Sequence, residues 1–356
     1  MNKLRVLVVE DSLTMRKRLC EVMGGDPDFE IVGEAADGRQ AIELCSMLRP
    51  DVISLDMMLP VIDGLTAAEY IMAHFATPIL VVSSSTNRGE LFKTYQALAA
   101  GVVEVLEKPG IDDLDGEWER RFLSTLKLVA RVKVITHVRA LRSERQDLTD
   151  ASDKVCRAAQ TCDLIAIGAS TGGPRAVAEV LRALPRDLTQ PILVIVHIAA
   201  SFGEALAEWL DGQLMHKVRF ASDGQPLVGP GVFLAPPGRH LRVGTRKLHL
   251  SDDPERNSWR PSIDVLFESI ATHCGRTAAA CLLTGMGSDG ARGLLAIRQA
   301  GGLTIAQDEA SSVVYGMPRE AVQLNAAQIV LPLAEIGKVL TAQARKDAAK
   351  CRERTE

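Results

Sequence analysis

The first third of the chain alternates apolar runs with stretches of helical spacing. Five mostly apolar runs are candidate strands: 4–9, 29–35, 51–57, 78–83 and 102–109. Amphipathic stretches such as 13–23 and 38–48 separate them. A strand that is apolar throughout is typical of a parallel sheet buried on both faces. The alternation therefore predicts a five-stranded, doubly wound parallel α/β domain over residues 3–122.

A second alternation begins near residue 163 and predicts another doubly wound α/β domain, over residues 161–345. Its candidate strands are 164–169, 191–198, 231–236, 247–252, 278–285, 302–307 and 327–333. Its candidate helices are 173–184, 201–212, 261–274, 287–300 and 317–324. The strands at 231–236 and 247–252 are joined by a short segment containing glycine, so we expect them to pair as a β-hairpin.

The segment between the two domains has a different composition. Residues 123–160 are rich in arginine and lysine, and Leu123, Leu126 and Val129 have the spacing of a partly exposed helix. This pattern predicts a linker that contains a helix.

Composition and charge narrow the class of protein. The chain has 356 residues, a formal charge of −4 and 47% hydrophobic residues, which argues against broad binding to nucleic acid. We find no signal peptide and no apolar run of the roughly 20 residues that a membrane span needs. The seven cysteines never have the C-x-x-C spacing. We therefore expect a cytoplasmic protein that does not insert into the membrane and has no disulfide framework.

Acidic residues follow two of the first domain's candidate strands. Glu10 and Asp11 come directly after the first strand, and Asp56 lies at the end of the third. Because ligands bind at the carboxyl ends of parallel strands, these acids predict a site for a hard cation such as Mg²⁺. Ser83 and Lys108 end the next two strands. A cation, a lysine and a hydroxyl around one carboxylate would stabilise a phosphoryl group on it.

Residues 3–110 resemble the receiver domain of two-component response regulators, through "VVEDS", "SLDMMLPVIDG", "VVSSS" and "LEKPG". The resemblance implies a flavodoxin-like fold and phosphorylation of Asp56 by a histidine kinase. It also implies that Mg²⁺ is held by Glu10, Asp11, Asp56 and the backbone carbonyl of Met58, and that Ser83 and Lys108 contact the phosphoryl group. Two positions depart from the usual pattern: Met58, where related receivers often have a polar residue, and Val105, where many have an aromatic one.

The stretch "LIAIGASTGGPRAV" at 164–177 combines a strand, a glycine-rich turn and the start of a helix. A dinucleotide cradle would need G-x-G-x-x-G, and a P-loop would need G-K-[ST]; neither is present. The residues from Gly168 to Gly172 instead match G-x-S-x-G, with Ser170 at the position of a nucleophile. Such a serine needs a base and an acid to orient that base.

His197 is the best candidate base, because it ends the next apolar strand on the same sheet edge as Ser170. His240, in a Pro/Gly loop, is the second candidate. Asp289, in the glycine-rich turn "LLTGMGSDGARG", is the candidate acid, although it could also be a simple N-cap of the helix that follows. The order Ser, His, Asp differs from that of α/β-hydrolases.

Residues 163–335 resemble the catalytic domain of chemotaxis protein-glutamate methylesterases, through "IGASTGGP", "VIVHI", "APPGRHL", "RPSIDVLFES", "LLTGMGSDGARG" and "AQDEASSVVYGMPREA". The resemblance implies phosphorylation-activated hydrolysis of glutamate methyl esters on methyl-accepting chemotaxis receptors, with release of methanol, and deamidation of receptor glutamines. It implies a nucleophile, base and acid at Ser170, His197 and Asp289, and an oxyanion site near Thr171 and the backbone amide of Met286. It implies no cofactor at the esterase site, a histidine kinase of the chemosensory pathway as phosphodonor, and recruitment to receptor arrays.

Two other classes of function remain open at this stage. A response-regulator transcription factor is disfavoured by the acidic pI and by the lack of a basic recognition helix. A catalytically idle adaptor that binds receptors is disfavoured by the presence of Ser170, His197 and Asp289 together.

Overall fold

A computed structural model describes residues 3–84, 88–110, 116–132, 134 and 162–352. The chain divides into two compact units, Met1–Glu144 and Arg145–Glu356. Most of the predicted linker, residues 135–160, lies outside the described residues. Among the residues described, no helix has both the length and the apolar content needed to cross a bilayer.

The first unit contains a five-stranded parallel sheet, as predicted. Its strands are β1 (Leu4–Val9), β2 (Phe29–Ala35), β3 (Val52–Leu55), β4 (Ile79–Ser83) and β5 (Glu104–Glu107). Their order in the sheet is β2-β1-β3-β4-β5. The direction of winding reverses between β1 and β3, which is the position where a doubly wound sheet binds ligands at the carboxyl ends of its strands.

Among the described residues of this unit, five helices pack around the sheet: α1 (Leu13–Gly24), α2 (Gly38–Leu48), α3 (Gly64–His74), α4 (Arg88–Ala100) and α5 (Glu117–Val129). Ser12, Asp37 and Asp63 are the N-caps of the first three, and each side chain accepts a hydrogen bond from a backbone N–H in the first turn.

Helix α5 accounts for part of the apolar spacing that suggested a linker helix. Its residues Phe122, Leu126 and Val129 are fully buried. The indole N–H of Trp118 donates to the carbonyl of Glu107 at 2.7 Å, and Lys127 Nζ lies 2.7 Å from carboxylates of the α1–β2 loop. These contacts make α5 part of the first unit's core.

The second unit contains a seven-stranded parallel sheet and a separate two-stranded one. The strands are β6 (Leu164–Ala169), β7 (Pro191–Val196), β8 (Val218–Phe220), β9 (Gly231–Leu234), β10 (His240–Val243), β11 (Leu248–Ser251), β12 (Ala278–Leu282), β13 (Leu303–Gln307) and β14 (Ile329–Leu331). The large sheet has the order β14-β13-β12-β6-β7-β9-β8. Because β6 pairs with both β7 and β12, the carboxyl ends of these three strands lie side by side.

The predicted hairpin between 231–236 and 247–252 is wrong. Strand β9 pairs in parallel with β7 and β8, whereas β11 pairs antiparallel with β10. Strand β10 lies inside the segment taken for the hairpin loop. Strand β10 is only four residues long, and it includes the charged Arg242. Its hydrophobic pattern is therefore too short to predict a strand from the sequence.

The helices of the second unit are α6 (Gly173–Arg182), α7 (Gly203–Gln213), α8 (Ile263–His273), α9 (Ala291–Gln299), α10 (Met317–Gln323) and α11 (Leu333–Arg352). Helix α9 begins at Ala291 rather than at residue 287, so the glycine-rich turn before it is longer than predicted. Helix α11 was not predicted from the sequence.

Candidate active site

Ser170 lies in the tight turn between β6 and α6. Its neighbour Gly172 has φ +73°, a left-handed conformation that favours glycine, and a Cβ there would lie 2.7 Å from the side chain of Val313. The backbone N–H of Ser170 donates to Thr284 at 3.0 Å, and its carbonyl accepts from Gly173 at 2.6 Å. The serine is therefore held in a fixed strand–turn–helix frame.

His197 follows β7 and is adjacent to that turn. Its backbone N–H donates at 3.0 Å to the carbonyl of Ala169, the residue before Ser170. The imidazole is completely shielded from solvent, with 0% of the side chain exposed. The indole of Trp259 stacks on it, with ring centroids 4.1 Å apart and an interplanar angle of 6°. Trp259 was not identified from the sequence, because no motif spacing connects it to His197.

Asp289 lies beside His197, with its Oδ2 3.0 Å from Nε2 of the imidazole. Nδ1 has no hydrogen-bond partner among the described residues, and the Nε2–Oδ2 contact is short but poorly aligned. The structure thus brings together the two residues, His197 and Asp289, that the sequence predicted as base and acid.

The carboxylate of Asp289 caps a helix, but not the one that follows it in sequence. It is bound at the N-terminus of α8 by the backbone N–H groups of Ile263 (2.7 Å) and Asp264 (3.2 Å). The hydroxyl of Ser262 (2.7 Å) and the side-chain amide of Asn257 (3.1 Å) also donate to it. The backbone N–H groups of a helix N-terminus favour a negative charge.

These contacts decide the charge state of Asp289. Burial by itself would raise its pKa, but the hydrogen bond and charge of His197, with the donors of Ile263 and Ser262, hold the pKa below its usual range. The neighbouring Asp264 is the opposite case, because burial and the charge of Asp289 raise its pKa. Asp289 is therefore the anionic partner of the imidazole.

His240, the second candidate base, is held by backbone groups instead. It is fully buried, its Nε2 lies 3.1 Å from the carbonyl of Pro254, and its Nδ1 accepts from the backbone N–H of Ser262 at 3.2 Å. Both ring nitrogens are engaged, so the structure favours His197.

The two candidate oxyanion residues lie in turns that meet at Ser170. The carbonyl of Thr171 accepts from the Thr284 hydroxyl at 3.0 Å. Met286 follows Gly285, where a Cβ would lie 2.7 Å from Cβ of Ser170. The side chain of Met286 is 58% exposed.

The first unit brings Glu10, Asp11 and Asp56 together at the carboxyl ends of β1 and β3, with ligand atoms within 4.8 Å of one another. Glu10 and Asp56 are buried and Asp11 is exposed. Lys108 Nζ lies 2.8 Å from Asp56 and 2.9 Å from Glu10. The backbone N–H of Met58 donates to Asp56 at 3.3 Å.

The electrostatics of this cluster fit a divalent cation. Burial, and then the charge of Asp56, raise the pKa of Glu10 to about 7. Burial also raises the pKa of Asp56, although Lys108 opposes the shift. One lysine does not neutralise three carboxylates, and oxygen ligands of this kind are those that Mg²⁺ prefers.

Ser83 makes a contact that the sequence did not reveal. It is fully buried, and its hydroxyl donates at 2.6 Å to Oε1 of Glu90, a buried carboxylate in the first turn of α4. Ser84 also donates to Glu90, through its backbone N–H at 3.0 Å and its hydroxyl. The Ser83 hydroxyl is thus committed to α4 in this structure.

Comparison with known proteins finds a family for each of the two units. A family model described as the response regulator receiver domain matches residues 6–116, and one described as CheB methylesterase matches residues 165–340. A protein-glutamate methylesterase/protein-glutamine glutaminase of Anaeromyxobacter dehalogenans is 46% identical over 337 residues, which covers 95% of this chain and 96% of the relative. The chain belongs to the CheB methylesterase family.

Other members of the CheB methylesterase family cover the chain to a similar extent. A protein-glutamate methylesterase/protein-glutamine glutaminase of Pseudomonas aeruginosa is 41% identical over 347 residues, covering 96% of this chain and 97% of the relative. Among solved structures, the catalytic domain of Thermotoga maritima CheB methylesterase is 32% identical with a TM-score of 0.49, and the match covers 51% of this chain and 98% of that one.

Proposed function

We propose that the second unit is a serine hydrolase that removes methyl groups from glutamate methyl esters of chemoreceptors and deamidates receptor glutamines. The observation that carries this proposal is the buried His197, placed between an ionised Asp289 at 3.0 Å and the turn that holds Ser170. The names of the relatives supply the substrate class.

We infer a role for each imidazole nitrogen. Nε2, which lies 3.0 Å from Asp289, carries the proton that faces this carboxylate, and Nδ1 accepts the proton of the Ser170 hydroxyl. Oγ of Ser170 then forms a bond to the ester carbonyl carbon. The bond from that carbon to the methoxy oxygen breaks, and methanol leaves with the proton held on His197.

Water completes the reaction through the same base. His197 removes a proton from water, the hydroxide attacks the acyl carbon, and Ser170 leaves with the proton, which releases a receptor glutamate. Backbone N–H groups at Thr171 and Met286 are the proposed donors to the oxyanion in both steps. With a glutamine substrate the leaving group is ammonia.

We propose that the first unit controls this activity through phosphorylation of Asp56 by a histidine kinase. Glu10, Asp11, Asp56 and the carbonyl of Met58 would hold Mg²⁺, which neutralises carboxylate and phosphoryl charge when it is bound. Lys108, already 2.8 Å from Asp56, pairs with the added charge. The Ser83 hydroxyl leaves Glu90 to bind a phosphoryl oxygen, and the population of active molecules rises.

The proposed setting is the cytoplasmic side of a chemosensory array. The histidine kinase of the pathway is the phosphodonor, and the methyl-accepting receptors are the substrate. Methanol release from methylated receptor membranes, measured with and without a small-molecule phosphodonor, tests both parts. Ser170→Ala should abolish release, and Asp56→Asn should abolish only its stimulation. Full release by Ser170→Ala would refute the nucleophile, and specific DNA binding without hydrolysis would favour a transcription factor.

A further inference from the structure

A four-residue turn contacts both His197 and Asp289. Arg256 and Trp259 exchange two backbone hydrogen bonds, at 3.0 and 3.2 Å. The two residues between them, Asn257 and Ser258, are left-handed with φ +54° and +63°, as both central residues of a type I′ turn must be. We refer to residues 256–259 as the strap.

The strap is fixed to helix α8 by a two-pronged ion pair. The guanidinium nitrogens of Arg256 lie 2.5 and 2.6 Å from the two carboxylate oxygens of Glu268. A bidentate pair of this kind sets direction as well as distance. The strap therefore has a defined position relative to the helix whose N-terminus holds Asp289.

Two strap side chains then reach the base and the acid. The Asn257 amide donates to Asp289 at 3.1 Å and to Asp264 at 3.0 Å. The Trp259 indole lies flat against His197, at a centroid distance of 4.1 Å. Trp259 is itself only half-buried, so its ring lies between the imidazole and solvent.

We propose that Trp259 is a positioning residue for His197, an inference that rests on the proposed hydrolase function. The parallel stack fixes the plane of the imidazole, so that Nε2 faces Asp289 while Nδ1 faces away from that carboxylate. The indole excludes water from one face of the base. Its π-surface also favours the imidazolium that forms when His197 takes the serine proton.

Among the described residues, Asp289 is the charged group in contact with His197, and Arg256 and Asp264 lie near Asp289. Trp259 adds no charge to this set. We therefore expect Trp259 to act on His197 through the face of its indole ring and not through the hydrogen bonds around Asp289.

The test uses the full-length protein and a fluorophosphonate probe, which phosphonylates an activated serine with loss of fluoride and does not require a receptor. Trp259→Leu keeps an apolar side chain without a ring face, and Trp259→Phe keeps an aromatic face. We expect Leu to lower the maximal rate of Ser170 labelling by about tenfold with an unchanged half-saturating probe concentration, and Phe to retain at least about a third of the rate. Glu255→Gln, an exposed residue next to the strap, is the matched control and should label like wild type.

Each outcome separates this inference from the proposed function. If Ser170→Ala is labelled as strongly as the wild type, Ser170 is not the nucleophile and the proposed function fails. If Ser170→Ala abolishes labelling but Trp259→Leu is labelled at the wild-type rate, only the role of Trp259 is overturned. If Trp259→Leu does not fold, as judged by circular dichroism, Trp259→Phe and Trp259→Tyr decide: equal losses of tenfold or more in both would show that the aromatic face is not what matters.

Discussion

Replacing Asp289 with asparagine removes one charge and leaves the shape of the side chain nearly the same. In the wild type, Oδ2 faces His197 and the Ile263 N–H, while Oδ1 accepts from Ser262, Asp264 and Asn257. Every one of these groups is a donor. The new amide has one acceptor atom and a donating NH₂, so at least one side of it meets donors that it cannot satisfy.

The size of the effect follows from these contacts. A buried donor left without a partner costs about 1–3 kcal/mol, so we expect Asp289→Asn to lower the free energy of unfolding by about 2–4 kcal/mol. Loss of the carboxylate that orients the base and stabilises its cation should lower kcat by about a thousandfold or more, roughly 4 kcal/mol of transition-state stabilisation.

The matched control is Asp264→Asn, the same chemical change in the adjacent buried carboxyl. Its Oδ1 accepts from the Gly293 N–H at 2.7 Å and its Oδ2 from the Asn257 amide at 3.0 Å, so Asp264→Asn also leaves a donor unsatisfied, but it keeps the carboxylate beside His197 in this variant. We expect its activity to stay within about threefold of wild type. Methanol release and thermal unfolding of both variants are the measurements. The reasoning would be refuted if Asp289→Asn kept a tenth of wild-type methanol release, or if both variants lost methanol release to the same extent.

The same carboxylate predicts a pH dependence. The folded-state pKa of Asp289 lies below the ordinary value of 3.8. Its contribution to stability is therefore present above about pH 4 and is lost as the pH falls through the folded-state pKa. Asp289→Asn should not show this part of the acid-induced loss in a denaturation series from pH 5 to pH 2.

Three further predictions concern other groups. The folded-state pKa of Glu10 is about 7, above its ordinary 4.5, so this group favours folding below about pH 4.5 and the effect is lost as the pH rises through 7. Glu10→Gln should raise the melting temperature at pH 8 and abolish stabilisation by Mg²⁺; an unchanged Mg²⁺ response in scanning fluorimetry would contradict this. Glu90→Gln weakens a charge-assisted hydrogen bond to Ser83, so the phosphodonor concentration for half-maximal esterase activity should fall by about two- to fivefold. No change in that concentration counts against a restraining role for Glu90. Gly285→Ala places a Cβ 2.7 Å from that of the nucleophile and should reduce serine labelling at least about tenfold, whereas Gly212→Ala on α7, with open space around it, should not. Equal labelling of these two glycine variants would show that the turn tolerates a methyl group.

Much of the fold was predictable because strands of a buried parallel sheet have continuous apolar sequences. The strands that precede Glu10, Asp56, Ser170 and His197 were located from those runs. The rule that ligands bind at the carboxyl ends of parallel strands then placed Glu10 and Asp56 at the edge of the first sheet, and Ser170 and His197 at the edge of the second. This rule locates a candidate site wherever polar or ionisable residues directly follow a central strand.

The remainder depended on contacts that no local pattern encodes. Asp289 was weighed as the cap of its own helix, yet it caps α8, because the turn before α9 crosses to a neighbouring element. Trp259 and Asn257 lie in a loop without periodicity, and Glu90 is an ordinary helical acid in sequence. Side chains that act across elements become visible only once tertiary structure sets their distances.

The order of the central strands has a consequence for when activity arises in a newly made chain. Strand β6 lies between β7, which follows it closely in sequence, and β12, which is made much later. Pairing of distant parallel strands is slow, since a long loop must close before any contact compensates for its entropy. A nascent chain that has already exposed Ser170 and His197 therefore still lacks its acid. We therefore expect hydrolysis only after the chain up to Asp289 has left the ribosome and β12 has docked.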